Sequence, residues 1–114
     1  MSDKKTAQHR ARIRTWNDAF RSTLSGGQIL LTPGINALES DVRAKAIRMV
    51  ATFADFSEDN DPHGEHDFGA FNLAGYKLFW KIDYYGTTLD TGSKDPSDPA
   101  VTTRVLTIML AEEY

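Results

Sequence analysis

The sequence predicts an α+β fold, in which two helices pack on one face of a mostly antiparallel sheet of about four strands. Apolar residues recur at helical spacing in the first half of the chain, whereas apolar and polar residues alternate in the second half. The length of 114 residues suits one domain. We therefore expect a single domain over residues 1–114, with the order α-β-α-β-β-β and a flexible tail at residues 1–5.

Each element of the first half has its own signature. The first helix is predicted over residues 6–23 and ends before Gly26, because glycine readily adopts the left-handed conformation of helix caps. A short strand over residues 28–32 is rich in branched residues. A second helix runs from an N-cap at Ser40 to about Ala54. The residues expected to face the core are Ile13, Trp16, Phe20 and Leu24 in the first helix, and Ala44, Ile47, Val50, Ala51 and Ala54 in the second.

The second half is predicted to form a hairpin and a last strand. Residues 68–73 and 76–85 flank Ala74-Gly75, a two-residue turn that sets their register. A long polar loop over residues 86–100 leads to a strand over residues 103–111, in which alternate residues are apolar. Three pairs of the hairpin then share an apolar face: Leu73 with Tyr76, Phe71 with Leu78, and Gly69 with Trp80.

The composition excludes several functional classes. The chain has no cysteine, which excludes disulfides, thiol nucleophiles and cysteine-ligated metal centres. No apolar run approaches the length of a membrane span or a signal core, so we expect a cytoplasmic protein without membrane association. No glycine-rich phosphate loop is found, and no cofactor is expected.

Charge is distributed unevenly, although the net charge is only −3. Residues 1–48 carry nine basic and four acidic side chains, whereas residues 49–114 carry four basic and twelve acidic ones. If the basic and acidic side chains lie on different surfaces of the fold, this asymmetry indicates a charged partner. If folding mixes them, the result is an ordinary protein surface. The first helix also has a basic stripe, which suggests either phosphate contact or a solvated face: Arg10, Arg14, Asn17 and Arg21. Direct nucleic-acid binding is not expected, because no recognition motif accompanies the stripe.

The segment over residues 59–67 is the main candidate for chemistry, since six of its nine residues can ionise. If the hairpin register continues, His66 lies opposite Asp83, and the carboxylate orients the imidazole for general acid–base catalysis. The alternative is a cross-strand ion pair beside ordinary turns. The catalytic candidates are His66, Asp83, Glu65 and Lys81, and the metal-ligand candidates are His63, His66, Asp61 and Asp67.

A second candidate surface lies on the outer face of the hairpin. Phe79 and Tyr85 have the opposite parity to the apolar residues of their strand. If helices cover only one face of the sheet, these aromatic residues lie on a surface suited to a partner. The partner-binding candidates are Asp59, Asp61, Asp83, Tyr85 and Phe79.

Several long segments resemble a known bacterial family. They are Asn17-Asp18, Leu31 to Gly34, Asn60 to Gly69, Phe79 to Tyr85 and Val105 to Ala111. Together they look like the domain-of-unknown-function family numbered 3768, and the similarity covers nearly the whole chain beyond Thr6. Gly86 departs from the pattern, in which an aspartate follows the paired tyrosines. The resemblance implies a bacterial, often mobile-element setting, and it supplies no activity, cofactor or catalytic residue.

Two functions of different classes therefore stay open. The first is a small non-enzymatic binding or regulatory protein whose acidic half contacts a basic protein partner. A specific form is an inhibitor of a nucleic-acid-processing or defence complex, in which carboxylates stand in for phosphates. The second is a small metal-assisted or acid–base enzyme centred on residues 59–67 and Asp83, which requires those side chains to converge in one concave site. The sequence does not indicate an oligomeric state.

Overall fold

The computed structural model describes residues 3–114 and confirms the α+β class. The elements, in chain order, are helix α1 (Asp3–Thr23), strand β1 (Gly27–Leu31), short helix α2 (Pro33–Asn36), helix α3 (Ser40–Ala51) and strands β2 (Phe68–Leu73), β3 (Tyr76–Tyr85) and β4 (Thr103–Leu110). Two single-turn 3₁₀ helices occupy Pro99–Val101 and Ala111–Glu113. The α2 turn is additional to the predicted elements.

The four strands form one sheet in the order β1-β4-β3-β2. Strand β1 runs parallel to β4, and the other two pairs are antiparallel, so the mostly antiparallel prediction is confirmed. The hairpin register is also confirmed: Phe71 pairs with Leu78, and Gly69 pairs with Trp80. The turn residues Ala74 and Gly75 have φ values of 54° and 83°, the left-handed pair that a tight hairpin requires.

The core lies between the sheet and the helices, on one side only. Trp80 of β3 and Leu106 of β4 are fully buried beside Phe20 of α1 and Val50 of α3. Burying side chains of this size stabilises the fold by about 1.5–3 kcal/mol each. The side chains of opposite parity point away from the helices and form a surface that we call the helix-free face, which includes Leu30 of β1, Thr107 of β4, and Phe79, Lys81, Asp83 and Tyr85 of β3.

Helix α1 is rotated about its axis relative to the prediction. Trp16 was expected in the core and is 42% exposed, whereas Asn17 and Arg21 are buried. The amide of Asn17 and the two terminal nitrogens of Arg21 make hydrogen bonds inside the protein, which makes burial of these two side chains tolerable, although Arg21 Nε has no partner.

The remaining helical predictions need smaller corrections. Ala46 is the buried alanine of α3, and Ala44 and Ala54 are exposed. The N-cap of α3 is Glu39 rather than Ser40, and its side chain makes no capping hydrogen bond.

Helix α1 begins earlier than predicted. Residues 3–5, which were expected in a flexible tail, belong to α1, while residues 1 and 2 lie outside the described range.

Over residues 3–114, no helix combines the length and the apolar character needed to cross a membrane.

Candidate functional site

Helix α1 holds the ionisable segment of residues 59–67 by three contacts. The guanidinium of Arg14 donates to the carbonyl oxygen of Gly64 at 2.8 Å, and the amide of Asn17 donates to the carbonyl oxygen of Glu65 at 3.0 Å. The third contact joins the ring of His66 to the carboxylate of Asp18. The segment is therefore anchored to α1 rather than projecting freely into solvent.

The imidazole of His66 lies between two carboxylates. Its Nδ1 is 2.9 Å from Asp18 Oδ1, and its Nε2 is 3.5 Å from Asp61 Oδ2. The ring also stacks on Phe56, with centroids 3.7 Å apart and planes 3° apart. Both ring nitrogens therefore face carboxylates of the protein itself. This geometry is that of an anchor for the segment.

The expected pairing of His66 with Asp83 is wrong. Regular pairing between β2 and β3 begins at Phe68 with Lys81, and His66 departs from the strand with a φ of 55°. Asp83 lies on the helix-free face, where its carboxylate accepts from the ammonium of Lys81 at 2.8 Å. That hydrogen bond raises the pKa of Lys81. The structure thus separates the residues that the enzyme hypothesis needs to converge.

The proposed metal ligands do not form a metal site, although His66 lies beside Asp61. His63 is exposed and Asp61 is buried. Among the side chains that the structure describes, those of residues 6–114, no three His, Cys, Asp or Glu are grouped so that they could hold a metal ion. The geometry gives a metal centre in this segment no support.

A polar network that the sequence analysis missed lies beneath α1. Asn17, which is fully buried, accepts from Arg104 Nε at 2.7 Å and donates to the hydroxyl of Tyr84 at 2.7 Å. That hydroxyl donates in turn to Glu65 Oε1 at 2.9 Å. Burial raises the pKa of Tyr84, and burial lowers the pKa of Arg104 against the opposing influence of Tyr84 and Glu65. A parity signal was present in the sequence, since Arg104 has the same parity as Leu106 and Ile108, which face the core.

Arg21 shows how α1 uses its basic stripe inside the protein. Its Nη1 donates to the carbonyl oxygens of Val50 and Phe53 at 2.8 and 2.7 Å, where α3 ends. The guanidinium carbon also lies 4.9 Å from the ring centroid of Trp80. A cation at the C-terminus of a helix satisfies carbonyl groups that have no helical partner. Phosphate contact by this part of the stripe is therefore wrong, and only Arg10 of the predicted stripe is exposed.

The partner-binding candidates divide into three groups. Phe79, Asp83 and Tyr85 lie on the helix-free face, as their parity predicts. Asp59 is exposed in the loop before β2. Asp61 is buried, and its carboxylate accepts from the backbone N–H of His66 at 3.2 Å, so it is not a surface residue.

The comparison with protein families follows the same segments. A family model described as a protein of unknown function (DUF3768) matches residues 31–113. The chain belongs to this family. The DUF3768 match begins at the last residue of β1 and leaves out all of α1, so it is shorter than the similarity expected from the sequence segments. No curated protein and no solved structure matches the chain.

Asp67 is a partly buried carboxyl group among other carboxylates. Burial raises its pKa, and the nearby charges of Glu65 and Asp61 raise it further. A carboxyl group whose pKa is raised by folding contributes stability while it is protonated, and that contribution is lost as the pH rises through the pKa of the folded state. At neutral pH the ionised side chain of Asp67 therefore destabilises the fold.

We expect the Asp67→Asn variant to melt at a higher temperature than the wild type at pH 7, because asparagine cannot ionise. The difference should shrink as the pH falls through the raised pKa of Asp67 and should be lost below about 4, where the carboxyl is protonated in both the folded and the unfolded state. Thermal melts from pH 3 to pH 8 measure this, with Asp59→Asn as an exposed control of equal charge change. An Asp67→Asn variant that is less stable than wild type at pH 7 would contradict the assignment.

Proposed function

We propose that this DUF3768 protein is a non-enzymatic binding protein that docks a protein partner on its helix-free face. The proposal depends on one observation: large apolar side chains are exposed there around a shallow cavity. Leu30 in β1 is 51% exposed, and Leu89, in the loop that follows β3, is 40% exposed. Both residues line a cavity of about 410 Å³. Exposed apolar groups clustered around a cavity are typical of interaction surfaces.

The conformation of Leu89 supports a role for that side chain. Its φ is 67°, a left-handed conformation that is unfavourable for a residue with a branched side chain. The backbone N–H of Leu89 donates to the carbonyl oxygen of Gly86 at 3.0 Å, which maintains the turn. The fold thus holds a leucine in solvent at a conformational cost, as expected if a partner covers it.

The centre of the cavity offers both charge and aromatic surface. Lys81 and Asp83 form an ion pair there, beside Tyr85 and the buried Val105. Aromatic residues next to apolar pockets are the side chains that most often dominate binding energy at protein interfaces. The exposed ion pair contributes orientation more than affinity.

The charges around this end of the sheet favour a basic partner. The loop over residues 52–67 precedes β2, the loop over residues 86–102 follows β3, and both lie at the same end. Together they carry one lysine and nine carboxylates, of which Asp61 is buried. A complementary partner presents cationic side chains beside apolar ones. The nucleic-acid-binding surface of a protein has this chemistry, so inhibition of a nucleic-acid-processing complex is a specific form of the proposal.

The test places a photo-cross-linking amino acid at Leu30, with Lys45 of α3 as the matched control on the helical side. In cells that naturally carry the protein, we expect a partner to be cross-linked from position 30 and not from position 45. Because the docking surface includes Asp83, the Asp83→Lys substitution should reduce that capture, and raising the salt concentration should weaken it. Leu30 is exposed, so its replacement should change the free energy of unfolding by no more than about 0.5 kcal/mol.

Three outcomes contradict parts of the proposal. Equal capture from positions 30 and 45 would show that the helix-free face is not selective. Capture of only a second copy of the chain would make the face a dimer interface. A partner whose cross-linked segment is acidic would contradict the basic chemistry assigned to it.

A further inference from the structure

Arg104 is a buried cation without a carboxylate partner. It is 4% exposed, and its Nε and Nη2 donate to neutral acceptors, the side-chain oxygen of Asn17 and the carbonyl oxygen of Pro96. None of the ion pairs between side chains of residues 6–114 includes Arg104. The carboxylate of Glu65 is engaged by the hydroxyl of Tyr84 instead. Glu65 acts on Arg104 without forming an ion pair with it, so burial of the guanidinium is only partly offset, and an anionic ligand in direct contact would offset more of that cost.

The remaining guanidinium nitrogen of Arg104 has free donors. In the described part of the chain, Nη1 of Arg104 donates no hydrogen bond. It is also not one of the fully buried nitrogens without a partner, so part of its surface is accessible to solvent. Arg104 lines a cavity of about 240 Å³ that opens beside the C-terminal half of α1. Arg104 is the cationic residue among those that line this cavity, so a charged donor for an anion would come from its guanidinium group.

The walls of this cavity are mainly apolar. They include Trp16, Phe20 and Pro99, with the hydroxyl-bearing Ser25 and Thr102 at other positions. Trp16 is 42% exposed, so one face of a large aromatic side chain is presented at the opening rather than packed in the core. An aromatic wall beside a buried guanidinium suits a ligand with a flat or branched apolar body and one anionic group.

The charge and the size narrow the ligand class. A single arginine supplies one positive charge, and neither a lysine nor a glycine-rich loop lines the cavity to bind a phosphate dianion. The volume is below the range of about 300–1,000 Å³ that is typical of drug-sized ligands. We infer that this cavity is a binding site for a small monocarboxylic acid, with Arg104 contacting the carboxylate and Trp16 covering the apolar body. The site lies on the helical side of the sheet and is separate from the helix-free face.

The test is a titration of the full chain with phenylacetate, its neutral analogue phenylacetamide, and inorganic phosphate, followed by ¹H–¹⁵N NMR. We expect phenylacetate to shift the indole N–H signal of Trp16 and the amide of Thr102, with a dissociation constant in the millimolar range that suits a fragment of this size. The indole signal of Trp80, which is fully buried in the core, should move little. Phenylacetamide should bind at least about tenfold more weakly, because it carries no charge.

Variants separate binding from folding. Arg104 also belongs to the buried network, so its substitution disturbs the fold, and the informative variant is Trp16→Ala at the exposed wall. This variant should weaken phenylacetate binding at least about threefold while its melting temperature stays near that of the wild type. Equal affinity for phenylacetate and phenylacetamide, or phosphate binding more tightly than either, would overturn the inference. Absence of a Trp16 shift at tens of millimolar phenylacetate would overturn it as well.

Discussion

Replacing Asn17 with alanine should lower the free energy of unfolding by about 3 kcal/mol or more. The side chain is fully buried and makes three hydrogen bonds, to Arg104, Tyr84 and the backbone of Glu65. Its loss leaves a buried guanidinium with one neutral acceptor fewer and deprives a buried hydroxyl of its donor. For a domain of this size the melting temperature should fall by roughly 12 °C or more, measured by denaturant titration and thermal melts.

The matched control is Asn72→Ala on β2. Asn72 is exposed, and its side chain makes no hydrogen bond to the described side chains and backbone of residues 6–114. Its replacement should change the free energy of unfolding by no more than about 0.5 kcal/mol. Asn17→Asp is a useful second variant, because it keeps an acceptor for Arg104 and loses both N–H donors. If Asn17→Ala and Asn72→Ala prove equally mild, the network is not a main source of stability.

The sequence predicted the sheet well, because its signals are local. A two-residue turn with a glycine at the second position restricts the hairpin to one register, and the left-handed φ of both Ala74 and Gly75 explains that restriction. Once the register is set, alternation assigns every side chain of β3 to a face. The buried Trp80 and the outward Phe79 follow from it. The parallel addition of β1 beside β4 depends on contacts distant in sequence, which no local signal specifies.

The rotation of α1 was not predictable from hydrophobic periodicity. Hydrophobic periodicity assigns Trp16 to the core because it depends only on the polarity of each residue. It contains no information on the hydrogen bonds that a polar residue makes in the folded protein. In the fold, the position is taken by Asn17, whose partners Arg104 and Tyr84 lie 87 and 67 residues away. Such satisfaction of a buried amide is a property of tertiary structure.

The candidate site failed for a related reason at His66. The predicted register continued the strand two residues beyond its true start at Phe68. At His66 the backbone has a left-handed φ, which a non-glycine residue seldom adopts. Asp18 and Asp61 hold the ring in this position, and the first of them lies 48 residues away. The candidates on the helix-free face needed only parity, which explains why Phe79, Asp83 and Tyr85 were placed correctly.

Gly69 makes the closest approach in the sheet, because it lies opposite the indole of Trp80. A Cβ atom at this position would lie 2.6 Å from Trp80 Cε2 and 2.9 Å from Phe53 Cε1, with Trp80 Nε1 closer still. The indole has little room to move away, since Phe53 packs edge-on at 5.5 Å and the guanidinium of Arg21 lies 4.9 Å from its ring. Overpacking a core in this way destabilises it by about 1–3 kcal/mol.

Gly69→Ala should therefore lie at the upper end of that range, near 3 kcal/mol by denaturant titration, because the atoms that clash belong to packed rings. The control is Gly92→Ala, where the nearest atom to a new Cβ is the carbonyl oxygen of Tyr84 at 3.9 Å; its effect on the free energy of unfolding should be no more than about 0.5 kcal/mol. Trp80→Phe removes the ring that meets the new methyl group, so the Gly69→Ala/Trp80→Phe double variant should lose less stability than the two single variants together, by about 1 kcal/mol. Strictly additive losses would show that Gly69 is required by its backbone and not by the indole opposite it.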